Sequence, residues 1–170
     1  TTQYTDKNGD VIKTGKFLDG TEHFDTYTYD YQGNQLTKLT AKDAAKGLSF
    51  TEKQEYNHAG QVVKYYNAAG NSTENTYDWL GRKISSTDYA GTPTTYTYDA
   101  LGNVTQVTNP DGTTVQYLRD YAANTVTVTD ENGAQLKYTY TPLGLESQTI
   151  DVASGEVLTS RSYDSLSRLS

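Results

Sequence analysis

The chain has 170 residues, no cysteine and a formal net charge of −7, with a sequence pI near 4.7. Its 14 lysines and arginines are scattered, which excludes recognition of a nucleic-acid backbone, since that needs clustered cations. The missing cysteines exclude disulfides and thiolate metal sites, and no apolar run is long enough to cross a bilayer.

From the N-terminus, Tyr4 to Gly20 reads as a first, loosely spaced copy of a unit that becomes clearer downstream, ending in Asp19-Gly20. Within it, Asp6-Lys7-Asn8-Gly9-Asp10 lacks the alternating acids and the distal Glu of a calcium loop, so it reads as an ordinary turn. Tyr29-Asp30-Tyr31-Gln32-Gly33-Asn34 is the first clear copy of the turn motif. Ala41 to Lys46 is the one helix-favouring run, read as a protruding loop carrying at most one helical turn. Tyr56-Asn57-His58-Ala59-Gly60 follows, and from there the spacing settles at 21 residues. Tyr77-Asp78-Trp79-Leu80-Gly81-Arg82 and Tyr98-Asp99-Ala100-Leu101-Gly102-Asn103 are the next two copies. Around Tyr98, Tyr96 and Tyr98 alternate with Thr95, Thr97 and Asp99, the period of two that puts both tyrosines on one strand face. Val104 to Thr108 is a second β-branched run, and Asn109-Pro110-Asp111-Gly112 a second turn, so one unit is a hairpin plus the turn to the next. Asp120 and Asn124 keep the register while Arg119 and Ala123 replace its Tyr and Gly. Tyr140-Thr141-Pro142-Leu143-Gly144 restores the motif, and Tyr163-Asp164-Ser165-Leu166-Ser167 begins a last copy that stops in mid-unit. A second glycine falls 14 residues after the start of four successive units, at Gly70, Gly91, Gly112 and Gly133.

Two registers agreeing over four units mean an array whose units stack rather than fold alone. The expected fold is all-β, an antiparallel sheet of repeated hairpins forming a curved strip. Residues 1–170 make one array of about seven or eight units of about 21 residues, with no separate second domain. The absence of a polar cap reads as a piece of a longer array, elongated and prone to end-to-end pairing. Leu, Ile, Val and Phe total 29 residues, about 17% of the chain, too few for a thick core. Sixteen tyrosines in register argue against disorder and for a sheet covered by aromatics and threonines.

Each position of the motif has a physical reason. Asp30, Asp78, Asp99 and Asp164 can accept backbone N–H bonds two residues on and pre-form the bend. Gly33, Gly60, Gly81, Gly102 and Gly144 sit where a positive φ is expected. Tyr29, Tyr56, Tyr77, Tyr98, Tyr140 and Tyr163 offer an apolar body with a hydroxyl that can stay in water. With Tyr27, Tyr96, Tyr117 and Tyr138, two residues before the motif tyrosines, they are expected to build a ladder. Val104 and Val107 lie one position earlier in their unit than Leu36 and Leu39 do in theirs, and a β-bulge in some units is the expected cause.

These residues resemble the YD repeat, also called the RHS repeat, over nearly the whole chain. The resemblance implies hairpin sheets that spiral into a hollow shell, as in bacterial polymorphic toxins, toxin-complex components, wall-associated proteins and teneurins. It implies a structural role, as shell wall around a toxin or effector domain in a secreted or cell-surface protein. The partners would be the rest of the repeat array and an enclosed C-terminal domain. The proline-rich segment that closes such shells has no match here. The alternative is an adhesin-like module contacting glycans or a protein at the cell surface. A wall is expected to show an enclosed face without a pocket, and an adhesin an exposed aromatic platform.

No enzymatic role, cofactor or metal is expected. The repeated aspartates recur at one turn position per unit, as a ladder of turns does. His23 and His58 occupy unrelated repeat positions, and neither a nucleophile elbow nor a phosphate loop is present. Trp79 stands inside a turn, either as a contact site or packed on the next turn.

Overall fold

The computed structural model describes residues 1–18 and 20–170, so Asp19 of the first copy lies outside the described residues. The fold is all-β, an antiparallel sheet of hairpins whose strands follow chain order without crossovers. Two units are distinguished, Thr1–Pro93 and Thr94–Ser170. The first holds β1 (Thr2–Thr5), β2 (Val11–Leu18), β3 (Thr21–Tyr29), β4 (Gln35–Leu39), α1 (Ala41–Ala44), β5 (Glu52–Tyr56), β6 (Val62–Asn67), β7 (Ser72–Tyr77) and β8 (Lys83–Thr87). The second holds β9 (Pro93–Tyr98, whose first residue belongs to the first unit), β10 (Val104–Thr108), β11 (Thr114–Asp120) and β12 (Thr125–Thr129). It continues with β13 (Gln135–Tyr140), β14 (Glu146–Asp151) and β15 (Val157–Ser160).

Strand alternation sorts the side chains of the second unit onto two faces. Tyr96 lies opposite Val107, Tyr98 opposite Val104, Tyr117 opposite Val128, and Arg119 and Tyr138 both opposite Val126. The other face carries Thr97, Thr125, Thr127, Thr129 and Thr139. Cross-strand hydroxyl pairs there join Thr97 to Thr105 at 2.8 Å and Thr139 to Ser147 at 2.8 Å. Among the described residues no apolar side chain is buried, and Thr149 is the buried polar one. Stability therefore comes from backbone ladders, turn chemistry and half-buried cross-strand pairs rather than from a core.

One turn geometry recurs. At Asp99 the backbone N–H donates to Asn103 O (2.9 Å) and Gly102 N–H donates back to Asp99 O (3.1 Å). The same pair of bonds closes the turns beginning at Asp6, Asp30, Asn57, Asp78, Thr141 and Asp164. It also closes those at Asn67, Asp88, Asn109 and Asp130, which precede the second glycines and lie at the opposite ends of the strands. Thr5-Asp6 thus occupies the Tyr-Asp position of the first unit, one residue beyond Tyr4, where the sequence reading had begun that copy.

A β-bulge recurs at the motif end of the strands, and one further register shift, with Leu158 as the extra residue, lies at the opposite end beside the Asp151 turn. Tyr29 pairs with Gln35 but Thr28 with Thr37, so Leu36 is the extra residue. Val63, Ile84, Thr105 and Ser147 are extra in the same way, beside Tyr56, Tyr77, Tyr98 and Tyr140, and Ile12 beside Thr5. Because the bulge is the same in the units of Leu36 and Thr105, it does not explain the shifted apolar phase. The reason is a change of face: Val107 lies opposite Tyr96, whereas Leu39 lies opposite Thr26. The run at 41–46 also differs from a protruding loop. Thr40 caps α1 by accepting Asp43 N–H, and Ala41 N–H donates to Asp25 Oδ1 on β3 (2.9 Å), which ties the helical turn to the sheet.

Candidate functional site: the bulged ends of the hairpins

The sequence motif meets at the bulged turns. Asp99 Oδ1 accepts from Leu101 N–H (2.9 Å) and Asn103 N–H (2.8 Å). Asp30 holds Gln32 and Asn34 identically, Asp78 holds Leu80 and Arg82, and Asp164 holds Leu166 and Arg168. Asn57 holds Ala59 and Gln61 through its amide oxygen. At Thr141 the shorter hydroxyl accepts Leu145 N–H alone, at 3.2 Å. Gly33, Gly60, Gly81, Gly102 and Gly144 have φ of +83°, +75°, +80°, +87° and +79°.

The tyrosine hydroxyls are used differently from the sequence expectation. Tyr29 Oη donates to Val11 O (3.0 Å), Tyr56 to Gln35 O (2.8 Å), Tyr77 to Val62 O (2.8 Å) and Tyr163 to Glu146 O (2.7 Å). Each acceptor is the first strand residue after the preceding unit's turn, directly opposite that unit's Tyr or its equivalent, next to the bulge. A bulge interrupts the ladder and leaves a carbonyl to be satisfied. The next unit's hydroxyl satisfies it. Arg119, in the degenerate copy, replaces the tyrosine and still reaches the equivalent carbonyl, Val104 O, through Nη1. The ladder therefore runs through hydroxyl–carbonyl bonds. The ring pairs described, Tyr4–Phe24 and Phe50–Tyr66, lie elsewhere. Tyr98 lies opposite Val104, and Tyr140 lies opposite Glu146.

Electrostatics fix the protonation states. Burial, with the nearby Asp10 carboxylate, raises the Tyr29 hydroxyl, and burial does the same for Tyr56 and Tyr77, so all three remain donors. Asp99 is held down to about 2, first by the Tyr121 hydroxyl (2.5 Å) and then by the turn's own donors. The Asn34 amide lowers Asp30, the Thr92 hydroxyl lowers Asp88, and Arg168 lowers Asp164. A general acid needs a carboxyl raised toward neutrality, and these carboxylates are shifted the other way. They act as fixed acceptors. Among the described residues no three His, Cys, Asp or Glu side chains are grouped to hold a metal.

Two further features emerge on the surface. On the tyrosine face of the second unit, Tyr117, Val126, Val128, Tyr138 and Tyr140 line an open cleft of about 400 Å³ together with Arg119 and Glu146. Trp79 is 89% exposed at a turn tip, so it packs on no neighbouring turn.

Residues 77–114, from Tyr77 through the second turn, match the family model described as RHS Repeat. That stretch carries the RHS repeat. No curated protein sequence matches it. Solved structures similar to it include the TcdB2-TccC3-Cdc42 complex, at 11% identity and a TM-score of 0.48. A mutant Photorhabdus luminescens Tc holotoxin pore follows at 11% and 0.46, and TcdB2-TccC3 at 12% and 0.41. In each case 98% of this chain is covered, and the chain spans 15% of the length of the chain it matches.

Proposed function

We propose that this chain is wall: a stretch of repeat sheet in a hollow shell that encloses a toxin or effector domain of a secreted or surface protein. The observation that carries the reading is the stitched single layer. In each unit the motif residues are spent on holding hairpins together, and no apolar side chain among those described is buried. Such a sheet presents both faces to its surroundings, as a wall does. On this reading the turn aspartates have no catalytic part, and the partners are neighbouring repeats and an enclosed domain. The test is protease protection in the full-length protein that contains this segment. An enclosed domain stays intact while the folded repeats stand and is cut once urea opens them. A domain digested at the same rate in both conditions would overturn the wall reading.

The tyrosine-lined cleft favours a second reading, an adhesin-like module that stacks a glycan ring on Tyr117, Tyr138 or Tyr140. A glycan array separates the two. Binding that disappears in Tyr138→Ala supports the adhesin, and a blank array removes it.

A further inference from the structure

The inserted segment between β4 and β5 makes a site that the repeat alone does not have. On β2 and β3, Lys16 lies directly opposite His23 and Thr14 directly opposite Asp25. These four side chains share one sheet face, the one carrying Tyr27 and Tyr29. Thr40, Ala41, Lys42 and Ala45 complete a cleft of about 370 Å³ over that patch. The hydrogen bond from Ala41 N–H to Asp25 Oδ1 holds the insert in place as its wall.

The chemistry of the cleft is graded from end to end. Among the described residues, the side chains of Lys16, His23 and Lys42 make no hydrogen bond or ion pair, although the chain carries a net charge of −7. The Lys16 ammonium and the His23 imidazole therefore present N–H donors side by side with no acceptor between them, the arrangement that suits a ligand anion. At the other end the Thr14 hydroxyl and the Asp25 carboxylate, one of whose oxygens takes Ala41 N–H, suit a ligand's hydroxyl groups. Ala41 and Ala45 give the wall an apolar surface.

We infer that this cleft binds a small polyhydroxy carboxylate of acidic-monosaccharide type. The ligand carboxylate is held by Lys16, His23 and Lys42, and its hydroxyls lie toward Thr14 and Asp25. A bare phosphate would satisfy the two lysines but not the hydroxyl end, and a neutral sugar would leave the lysines unmatched. The volume is of the size usual for a small-molecule site. The cleft departs from the pocket-free face expected of a wall, but it is built by the inserted segment and its test reads ligand binding rather than enclosure, so the two readings can fail separately.

The test is titration of the intact chain with glucuronate, glucose and inorganic phosphate, followed by two-dimensional NMR of the His23 and Thr14 resonances. Glucuronate is expected to shift both sets saturably, with glucose and phosphate at least about tenfold weaker. Lys16→Gln with Lys42→Gln is expected to weaken glucuronate by about tenfold or more while the urea midpoint is kept. Asp25→Asn serves as the second variant. It keeps an acceptor for Ala41 N–H and tests whether the hydroxyl end contributes. Phosphate binding as tightly as glucuronate, or no saturable shift with glucuronate, would overturn the assignment.

Discussion

The torsional cost of a turn can be separated at single residues from the cost of crowding. A Cβ built on Gly102 would meet nothing within 4 Å, so its φ of +87° is the whole reason for glycine there. Gly102→Val should lose more than ~1 kcal/mol, read as a lower urea midpoint. Ser167 is the mirror case, holding φ +63° with a side chain present, and Ser167→Gly should raise the midpoint by up to ~1 kcal/mol. The tyrosine hydroxyl is a second single-residue term. Tyr29→Phe keeps the ring and removes the bond to Val11 O, so about 0.5–1.5 kcal/mol should be lost with an unchanged denaturant slope. Tyr31→Phe, at a side chain 90% exposed, should change nothing and is the matched control.

At the level of the hairpin, half of the arrangement was legible in the residues and half was not. Asp and Gly at fixed spacing specify their turn by local chemistry alone, which is why Asp30–Asn34 and Asp99–Asn103 could be read directly. The partner of each tyrosine could not be read, because it is a main-chain carbonyl. Val11, Gln35, Val62 and Glu146 share no side-chain chemistry, and nothing in their identity marks the bulge beside them. The turns at Asn67, Asp88 and Asp130 did carry a signal, an Asx three residues before the second glycine, and Asn109 shares it. At Asn109 the Asx side chain is displaced in its role by Asp111, which accepts Thr113 N–H (2.9 Å). Acid should loosen these hairpins. Asp99, ordinarily near 3.8, is held at about 2 in the fold, so its contribution is complete above about pH 4 and is lost as pH falls toward about 2. Thermal melts at those two values should show a drop in Tm that is smaller in Asp99→Asn, which cannot titrate but can still accept the turn bonds.

On the scale of the whole chain, the spacing of the motif is uneven in a telling way. Tyr29 to Tyr56 spans six residues more than the regular unit, and Tyr140 to Tyr163 spans two more. In the first case the surplus lies in the segment that carries α1, after β4. In the second it lies after the start of the Asp151 turn, where Asp151 N–H bonds to Glu156 O. Neither surplus falls inside a turn that opens with the Tyr-Asp motif, and part of the second is Leu158, the extra residue where β15 pairs with β14. Even the degenerate turn at Asp120, which has lost its glycine and its bulge, keeps its 21-residue place. The hydroxyl-to-carbonyl bond explains the asymmetry. A side chain of fixed reach must find one carbonyl in the preceding repeat, whereas a plain turn has no such appointment to keep. Foreign segments grafted into the array should therefore be accepted on one rim and refused on the other. A six-residue Gly/Ser insert between Ala90 and Gly91 should lower the urea midpoint only slightly, by the cost of a longer loop. The same insert between Ala100 and Leu101 should lower it markedly more. Lineages of this fold would then acquire new loops along a single side, with the repeat length guarded by its tyrosines.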